Sequence, residues 1–141
     1  MTKPSWLFWI VAVAILLWNA FGVFDFWMTS TGNEEYLKDF DPEMIEWIAG
    51  FPLWRKAMWA IGVFAGVLGA LALIARRRVA VALLISNFAL MALGFAGHDI
   101  LLANGARMYG ELGLIVSALL VIVAAAQWLY ADRAAKNGYL I

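Results

Sequence analysis

The sequence predicts an all-α membrane protein, an antiparallel bundle of four transmembrane helices with a short amphipathic helix in its first outer loop. The 141-residue chain is 65% hydrophobic and 14% charged, with a mean hydropathy of +0.84, far more apolar than a soluble domain. Four uncharged segments cover residues 6–24, 57–75, 79–97 and 113–131. Each would be about 28 Å long as a helix, close to the hydrocarbon thickness of a bilayer. We therefore expect residues 1–141 to form a single integral membrane domain.

The first segment has the position of a secretion signal, because it lies close to the N-terminus of the sequence. It is longer than the apolar part of a signal peptide, and no small-x-small cleavage site follows it. We therefore interpret residues 6–24 as an uncleaved first helix.

Basic residues predict the orientation of the bundle. The three arginines at 76–78 lie in a very short turn between the second and third segments, and positive residues favour the cytoplasmic side. Lys3, Arg133 and Lys136 would share that side, so we expect both termini in the cytoplasm and the protein in a bacterial inner membrane. The doublet at 55–56 argues weakly against this orientation. The net charge of zero is then a cancellation between a basic cytoplasmic side and an acidic outer side.

Residues 25–56 form the long first outer loop, which the sequence predicts to be ordered. Asn33 can cap a turn that begins at Glu34, and Asp41-Pro42-Glu43 is a strong helix start that residues 50–52 would end. The apolar residues between these signals share one face: Met44, Ile45, Trp47 and Ile48. We expect a short helix along the outer surface, either as a plain covering or as a lid over an outward-facing cavity.

Small residues predict how the second and third helices pack. Gly62 and Gly66 form a GxxxG motif that continues at Gly69, and such residues let two helix backbones approach closely. A stripe of small residues has the same spacing in the third segment: Ala82, Ser86, Ala89, Ala92 and Ala96. We expect the two stripes to face each other within the chain, with a homodimer contact as the alternative.

Four uncharged polar residues are candidate interhelical contacts within the membrane. Asn19 and Ser117 would lie about 9 Å below the outer surface, counted from the nearest charged helix end at the helical rise. Asn87 and Gln127 would form a second layer in the cytoplasmic half. Two layers of hydrogen bonds are one interpretation, and a polar path for a solute is the other. No ionisable residue lies in the middle of a segment, so a proton relay lacks its usual groups.

The outer helix ends hold the best candidate site, a cluster of charged and polar residues at one depth. Its members are Asp25, Arg55, Lys56, His98, Asp99, Arg107 and Glu111. We expect an ion-pair network, with ligand binding as the alternative. A cation held by Asp25, His98 and Asp99 is a third possibility. One His without any Cys cannot form a bis-His haem or closed zinc site, and no catalytic signature is present. We therefore predict no cofactor, no metal and no enzymatic activity.

Several stretches resemble a family of small bacterial four-helix inner-membrane proteins, and the likeness covers nearly the whole chain. The stretches are LWNAFG (17–22), MTSTGNEEYL (28–37), DPEMI (41–45), FPLW (51–54), WAIGVFAG (59–66) and NGYLI (137–141). Some members of that family carry the label of sugar transporter. The resemblance implies the same four-helix fold but assigns no role to an individual residue.

Together these observations predict a non-catalytic accessory or interaction subunit of the membrane. The alternative is a small oligomeric transporter or pore for a small polar solute such as a sugar. The expected partners are the lipid bilayer and either further copies of the chain or another membrane protein. We expect no nucleic acid partner.

Overall fold

The computed structural model describes residues 2–141, and within that range it contains helices and turns but no strand. The helices are α1 (Trp6–Ser30), α2 (Glu34–Leu37), α3 (Pro42–Ala49), α4 (Leu53–Ile74), α5 (Val79–Ala92) and α6 (Gly105–Lys136). A π-helical continuation of α5, the π segment, covers Leu93–Ile100. Four helices are long and apolar enough to cross a membrane: α1, α4, α5 with its π segment, and α6. The prediction of an all-α chain with four such helices is confirmed.

The long helices extend beyond the uncharged segments of the sequence. Helix α1 continues through Asp25 to Ser30, and α4 begins at Leu53, ahead of Arg55 and Lys56. A charged side chain at the end of a transmembrane helix can reach polar partners, so it does not force the helix to end. The uncharged length therefore understates the length of the helix.

The long helices pack mainly with their neighbours in the chain. The extensive contacts are between α4 and α5, between α1 and α4, and between α5 and α6. Within residues 2–141, α1 and α6 are not among the extensively packed pairs. Helix α6 is itself interrupted, because Gly110 has a positive φ of 66° and separates a short first part from the long remainder. The first and last long helices therefore pack less closely against each other than against α4 and α5.

The glycine stripe of α4 receives larger side chains from α5. Gly62 faces Leu90, and a methyl group added at Gly69 would come within 2.8 Å of Leu84. The predicted match with a stripe of small residues is wrong, because Ala82 and Ser86 are exposed and the Ser86 hydroxyl bonds to its own helix. Large residues of α5 inserted into the glycine gaps of α4 fill the space between the two helices.

The end of the bundle that carries both chain termini, here called the terminal end, is closely filled. Phe8, Leu73 and Leu84 are among its fully buried residues, and Leu140 from the last few residues joins the same apolar cluster. The turn after α4 binds the chain end, since Arg76 donates to the carbonyl oxygen of Tyr139 at 2.7 Å. The opposite end, covered by residues 31–52, is here called the capped end.

Candidate functional site

A buried ion pair lies at the capped end of α4 and α5. The Arg55 guanidinium donates two hydrogen bonds to Asp99, from Nε to Oδ1 at 2.9 Å and from a terminal nitrogen to Oδ2 at 2.8 Å. The Asp99 side chain is fully buried and that of Arg55 is 11% exposed. A bidentate pair of this kind is rigid as well as strong, because both atoms of the carboxylate are fixed.

Local backbone features bring these two residues together. Asp99 lies in the π segment, whose wider turns change the direction of the side chains relative to α5. Gly94 in the same segment faces the guanidinium, and a Cβ there would lie 2.8 Å from Arg55 Cζ. The arginine therefore occupies space that only a glycine leaves open.

Two further side chains complete the network around Asp99. The Tyr109 hydroxyl donates to Oδ2 at 2.8 Å, and His98 Nδ1 lies 2.7 Å from Oδ1. The His98 ring is held edge-to-face by Phe51 and Trp54, with centroid distances of 4.9 and 5.1 Å. Every hydrogen-bonding direction of the carboxylate is thus used. We call Arg55, His98, Asp99 and Tyr109 the Asp99 network.

A cavity of about 250 Å³ lies beside this network, beneath α2 and α3 and between the long helices. Its wall toward the cap is apolar and consists of Leu37, Phe40, Met44, Ile45 and Ile48. Its deeper wall also carries methionines and aromatic rings, among them Met58, Trp59, Met91 and Phe95. Of the two interpretations of the outer loop, a lid over a cavity describes this arrangement better than a plain covering.

Polar side chains line the cavity at separate points. Asp25 of α1, Asn87 of α5 and Ser117 of α6 contribute to the wall, as do Arg55 and Asp99 of the network. The volume exceeds the roughly 150 Å³ of an apolar protein cavity known to hold benzene and is just below the range of about 300–1,000 Å³ for drug-sized sites. The cavity therefore fits a small molecule, or one end of a longer one, that has both apolar and polar parts.

The predicted outer cluster is divided among separate contacts. Arg55, His98 and Asp99 meet in the network, whereas Asp25 accepts a hydrogen bond from Tyr36 at 2.5 Å. Lys56 Nζ donates to the carbonyl oxygen of Ala49 at 2.8 Å. Arg107 lies 3.5 Å from Glu43 in an exposed pair, and Glu111 is exposed. The expectation of one network that includes all seven residues is wrong, because the cap offers nearer partners to those outside the centre.

The contact between Asp25 and Tyr36 ties α2 to α1. Asn33 caps α2 by accepting from the backbone N–H of Tyr36, which fixes the direction of the tyrosine ring. Burial raises the pKa of Tyr36 to about 12, and the hydrogen bond to Asp25 and its negative charge act in the same direction. The hydroxyl therefore remains a donor at physiological pH, and the Asp25 carboxylate is held at the cavity wall.

Three of the four polar residues predicted to lie within the membrane share one layer, where the sequence predicted two layers of two. Asn19 Nδ2 donates to Gln127 Oε1 at 2.9 Å, and Asn87 Nδ2 donates to the carbonyl oxygen of Gly62 at 2.8 Å. Both asparagine side chains border Gly66, and Ser117 lies apart in the cavity wall. The two-layer prediction is wrong because depth was counted from Asp25, although α1 continues to Ser30.

A cation site made of Asp25, His98 and Asp99 does not fit these positions. Asp25 is bound by Tyr36, and Asp99 already accepts from Arg55 and Tyr109. Among residues 2–141, no three His, Asp or Glu side chains are grouped so that they could hold a metal ion.

Three residues with polar contacts at the site were not among the predicted site residues: Tyr36, Trp47 and Tyr109. Trp47 Nε1 donates to the carbonyl oxygen of Ala103 at 2.9 Å, and its ring packs edge-to-face on Tyr109 at 5.2 Å. A tyrosine beside acidic residues at a helix end is a weak signal for such a contact, since aromatic residues are common at membrane interfaces.

Comparisons of the chain with models of protein families, with curated proteins and with solved structures find no match.

Proposed function

We propose that this chain is a non-catalytic, multi-pass protein of a bacterial inner membrane that binds a small amphiphile in the cavity of its capped half. The observation that supports this function is the cavity of about 250 Å³ between the long helices. In the proposed arrangement the helices alternate in direction, the capped end faces outward and both termini lie in the cytoplasm. The arginines at 76–78 support that orientation.

The chemistry of the wall favours an amphiphile over a purely polar solute such as a sugar. Methionine side chains at 44, 58 and 91 are flexible and polarizable, and they adapt to apolar ligands of different shapes. Hydrogen-bonding groups are few and lie at separate points, such as Asn87 and Ser117. A ligand with an apolar body and one polar end satisfies both features, because a few placed polar groups can orient it.

Access from the bilayer is the proposed route into the cavity. Helices α1 and α6 bind each other through Asn19 and Gln127 and through the stacked rings of Phe8 and Tyr130. Beyond Asn19, toward the capped end, each lines the cavity from its own side. Leu120 lines the cavity and is 39% exposed, which supports placing the proposed opening to the lipid beside α6. An amphiphile dissolved in the membrane could pass at this point.

The closed terminal end supports binding over a continuous pore. The turn after α4 and the chain end are joined by backbone hydrogen bonds, from Arg78 N–H to the Ile141 carbonyl and from Ile141 N–H to the Arg76 carbonyl. Leu140 fills the space between them with 2% exposure. Transport of a solute would require this end to open, so the transporter hypothesis needs a second conformation.

Photo-crosslinking tests the proposed binding site. A diazirine derivative of octanol, added to the full chain in lipid nanodiscs, is expected to label cavity residues such as Met58 and Met91. Leu120→Trp, which fills the wall at the proposed access point, should greatly reduce this labelling. Leu119→Trp is the matched control, because Leu119 is 54% exposed and does not line the cavity.

Labelling confined to lipid-facing residues, or equal labelling of both tryptophan variants, would overturn the proposal. Uptake of radiolabelled sugars into proteoliposomes provides the separate test of the transporter hypothesis. There, a sealed terminal end predicts no flux.

A second candidate is the accessory or interaction subunit, favoured by the exposed acidic residues of the cap. Glu34, Glu35, Asp39 and Glu46 are exposed, and Lys38 is their only basic neighbour within α2 and the turn that follows it. Such a surface can attract a basic partner. Crosslinking in native membranes followed by quantitative pull-down tests this role. A chain recovered without any enriched partner would count against it.

A further inference from the structure

A second depression, here called the His98 groove, opens at the surface of the capped end. It has a volume of about 490 Å³ and lies between α3 and the first part of α6. Two carboxylates, an indole and an imidazole contribute to its wall: Glu43, Glu46, Trp47 and His98. Apart from Phe51, none of its lining residues borders the cavity described above, so the groove is a separate site.

The hydrogen bond to Asp99 fixes the tautomer of His98. An ionised carboxylate can only accept hydrogen bonds, and Asp99 is ionised opposite the Arg55 guanidinium. Nδ1 of His98, 2.7 Å from Asp99 Oδ1, must therefore carry the proton. In the neutral ring the other nitrogen, Nε2, is then an acceptor with a free lone pair.

Nε2 of His98 has no hydrogen-bond partner among residues 2–141, although the residue is only 7% exposed. Every fully buried side-chain nitrogen or oxygen among those residues has a hydrogen-bond partner, so Nε2, which has none, is not fully buried. The small exposed part of His98 therefore includes Nε2, in the wall of the groove. A rigid acceptor in the wall of an open surface groove is prepared for a ligand that donates a hydrogen bond.

The surroundings favour a positively charged donor. Glu46 is exposed at the groove and has no ion-pair partner in the described chain, while Glu43 has only a 3.5 Å contact with Arg107. The faces of aromatic rings such as Trp47 also attract cations. A metal ion fits less well, because His98 does not belong to any group of three His, Asp or Glu side chains in residues 2–141 that could hold one.

We propose that the His98 groove binds a primary ammonium group. Nε2 of His98 accepts one N–H of this group, and the carboxylate of Glu46 supplies the opposite charge. Two sources offer the same chemistry at a membrane surface: the headgroup of an ethanolamine phospholipid and a free alkylamine. A quaternary ammonium has no N–H to donate and should not bind to the nitrogen.

The single histidine of the chain makes the test direct, since ¹⁵N-histidine labelling reports His98 alone. The labelled protein is placed in phosphatidylcholine nanodiscs, where NMR should show a protonated Nδ1 and an unprotonated Nε2. Two additions follow in parallel: phosphatidylethanolamine in the bilayer and n-butylammonium in solution. Tetramethylammonium is the control that carries the charge without the donor.

A shift of the Nε2 resonance with phosphatidylethanolamine alone supports the lipid source, and a shift with n-butylammonium alone supports a free amine. Shifts with both support a site for any primary ammonium. No shift with either, or an equal shift with tetramethylammonium, would overturn the proposal.

Two variants locate the binding. Glu46→Gln should weaken binding of the ligand that shifts the Nε2 resonance. The expected increase in Kd is about two- to fivefold, the effect of one exposed opposite charge. Glu35→Gln is the matched control, since Glu35 of α2 is exposed but pairs with Lys38, away from the groove. An equal effect of both variants would contradict the placement in the groove.

Discussion

The two halves of the bundle differ in what fills the space between their helices. In the terminal half the contacts are apolar, with Phe8, Leu73 and Leu84 fully buried. In the capped half a buried ion pair and a cavity lie side by side. A bundle that needed only to span the membrane could fill both halves alike, because replacing a buried ion pair with well-packed apolar residues is often neutral or stabilising. The proposed binding function would account for this difference, because a ligand needs both the space and the polar groups of the capped half.

The largest predicted effect is the loss of one partner of the buried pair. Arg55→Met leaves the Asp99 carboxylate buried without its counter-charge, which should cost about 3–5 kcal/mol of stability. Arg107→Met is the control with the same change in charge, and its exposed pair with Glu43 should be worth about 0–1 kcal/mol. Unfolding by a denaturing detergent measures both.

The same variant also sharpens the comparison between the halves. Hydrogen exchange in Arg55→Met should accelerate in the π segment and the first part of α6, while the terminal half keeps its protection. Uniform acceleration along the chain would mean that the two halves do not differ in what holds them together.

A smaller effect is expected where the two halves meet, at Gly66. A methyl group there would clash with Asn19 Oδ1 and lie 3.0 Å from Asn87 Nδ2, and both amides are already held by hydrogen bonds. Gly66→Ala should therefore cost about 1–3 kcal/mol by overpacking. Gly62→Ala, one turn away in the same motif, meets only Leu90 at 3.5 Å and should be tolerated. Equal stabilities of the two variants in thermal denaturation would refute this ranking.

The smallest effect concerns the hydrogen bond that joins α1 to α6. A double-mutant cycle with Asn19→Leu and Gln127→Leu should give a coupling free energy of about 0.6 kcal/mol, the average for such contacts in a membrane. The cycle isolates the pair from the other bond of Asn19, which it donates to the carbonyl oxygen of Ile15. A coupling of zero would mean that this contact does not hold the two helices together.

The four long helices could be predicted because a helix that crosses a bilayer must be apolar over the thickness of the hydrocarbon core. All four are confirmed by their length and composition. Parts of the site could be predicted as well, since Arg55 and Asp99 carry opposite charges at helix ends. The burial of Asp99 could not, because it depends on the π segment, and a helical repeat in the sequence does not reveal where the turns widen. The depth of a residue in the bundle is equally hard to read from the sequence. Counting from Asp25 placed Asn19 in the wrong layer.

Accessibility of single cysteines tests the central claim most directly, and the absence of native cysteines makes the measurement simple. Ser117→Cys places a thiol in the cavity wall, and Ala124→Cys places one two turns further along α6, where exposure is 2%. Methyl methanethiosulfonate is small, neutral and membrane-permeant, so its access does not depend on the orientation of the protein. We predict rapid modification at residue 117 and protection at 124. Equal protection at both positions would contradict an accessible cavity in the capped half, and equal modification would mean that the access is not specific to the cavity.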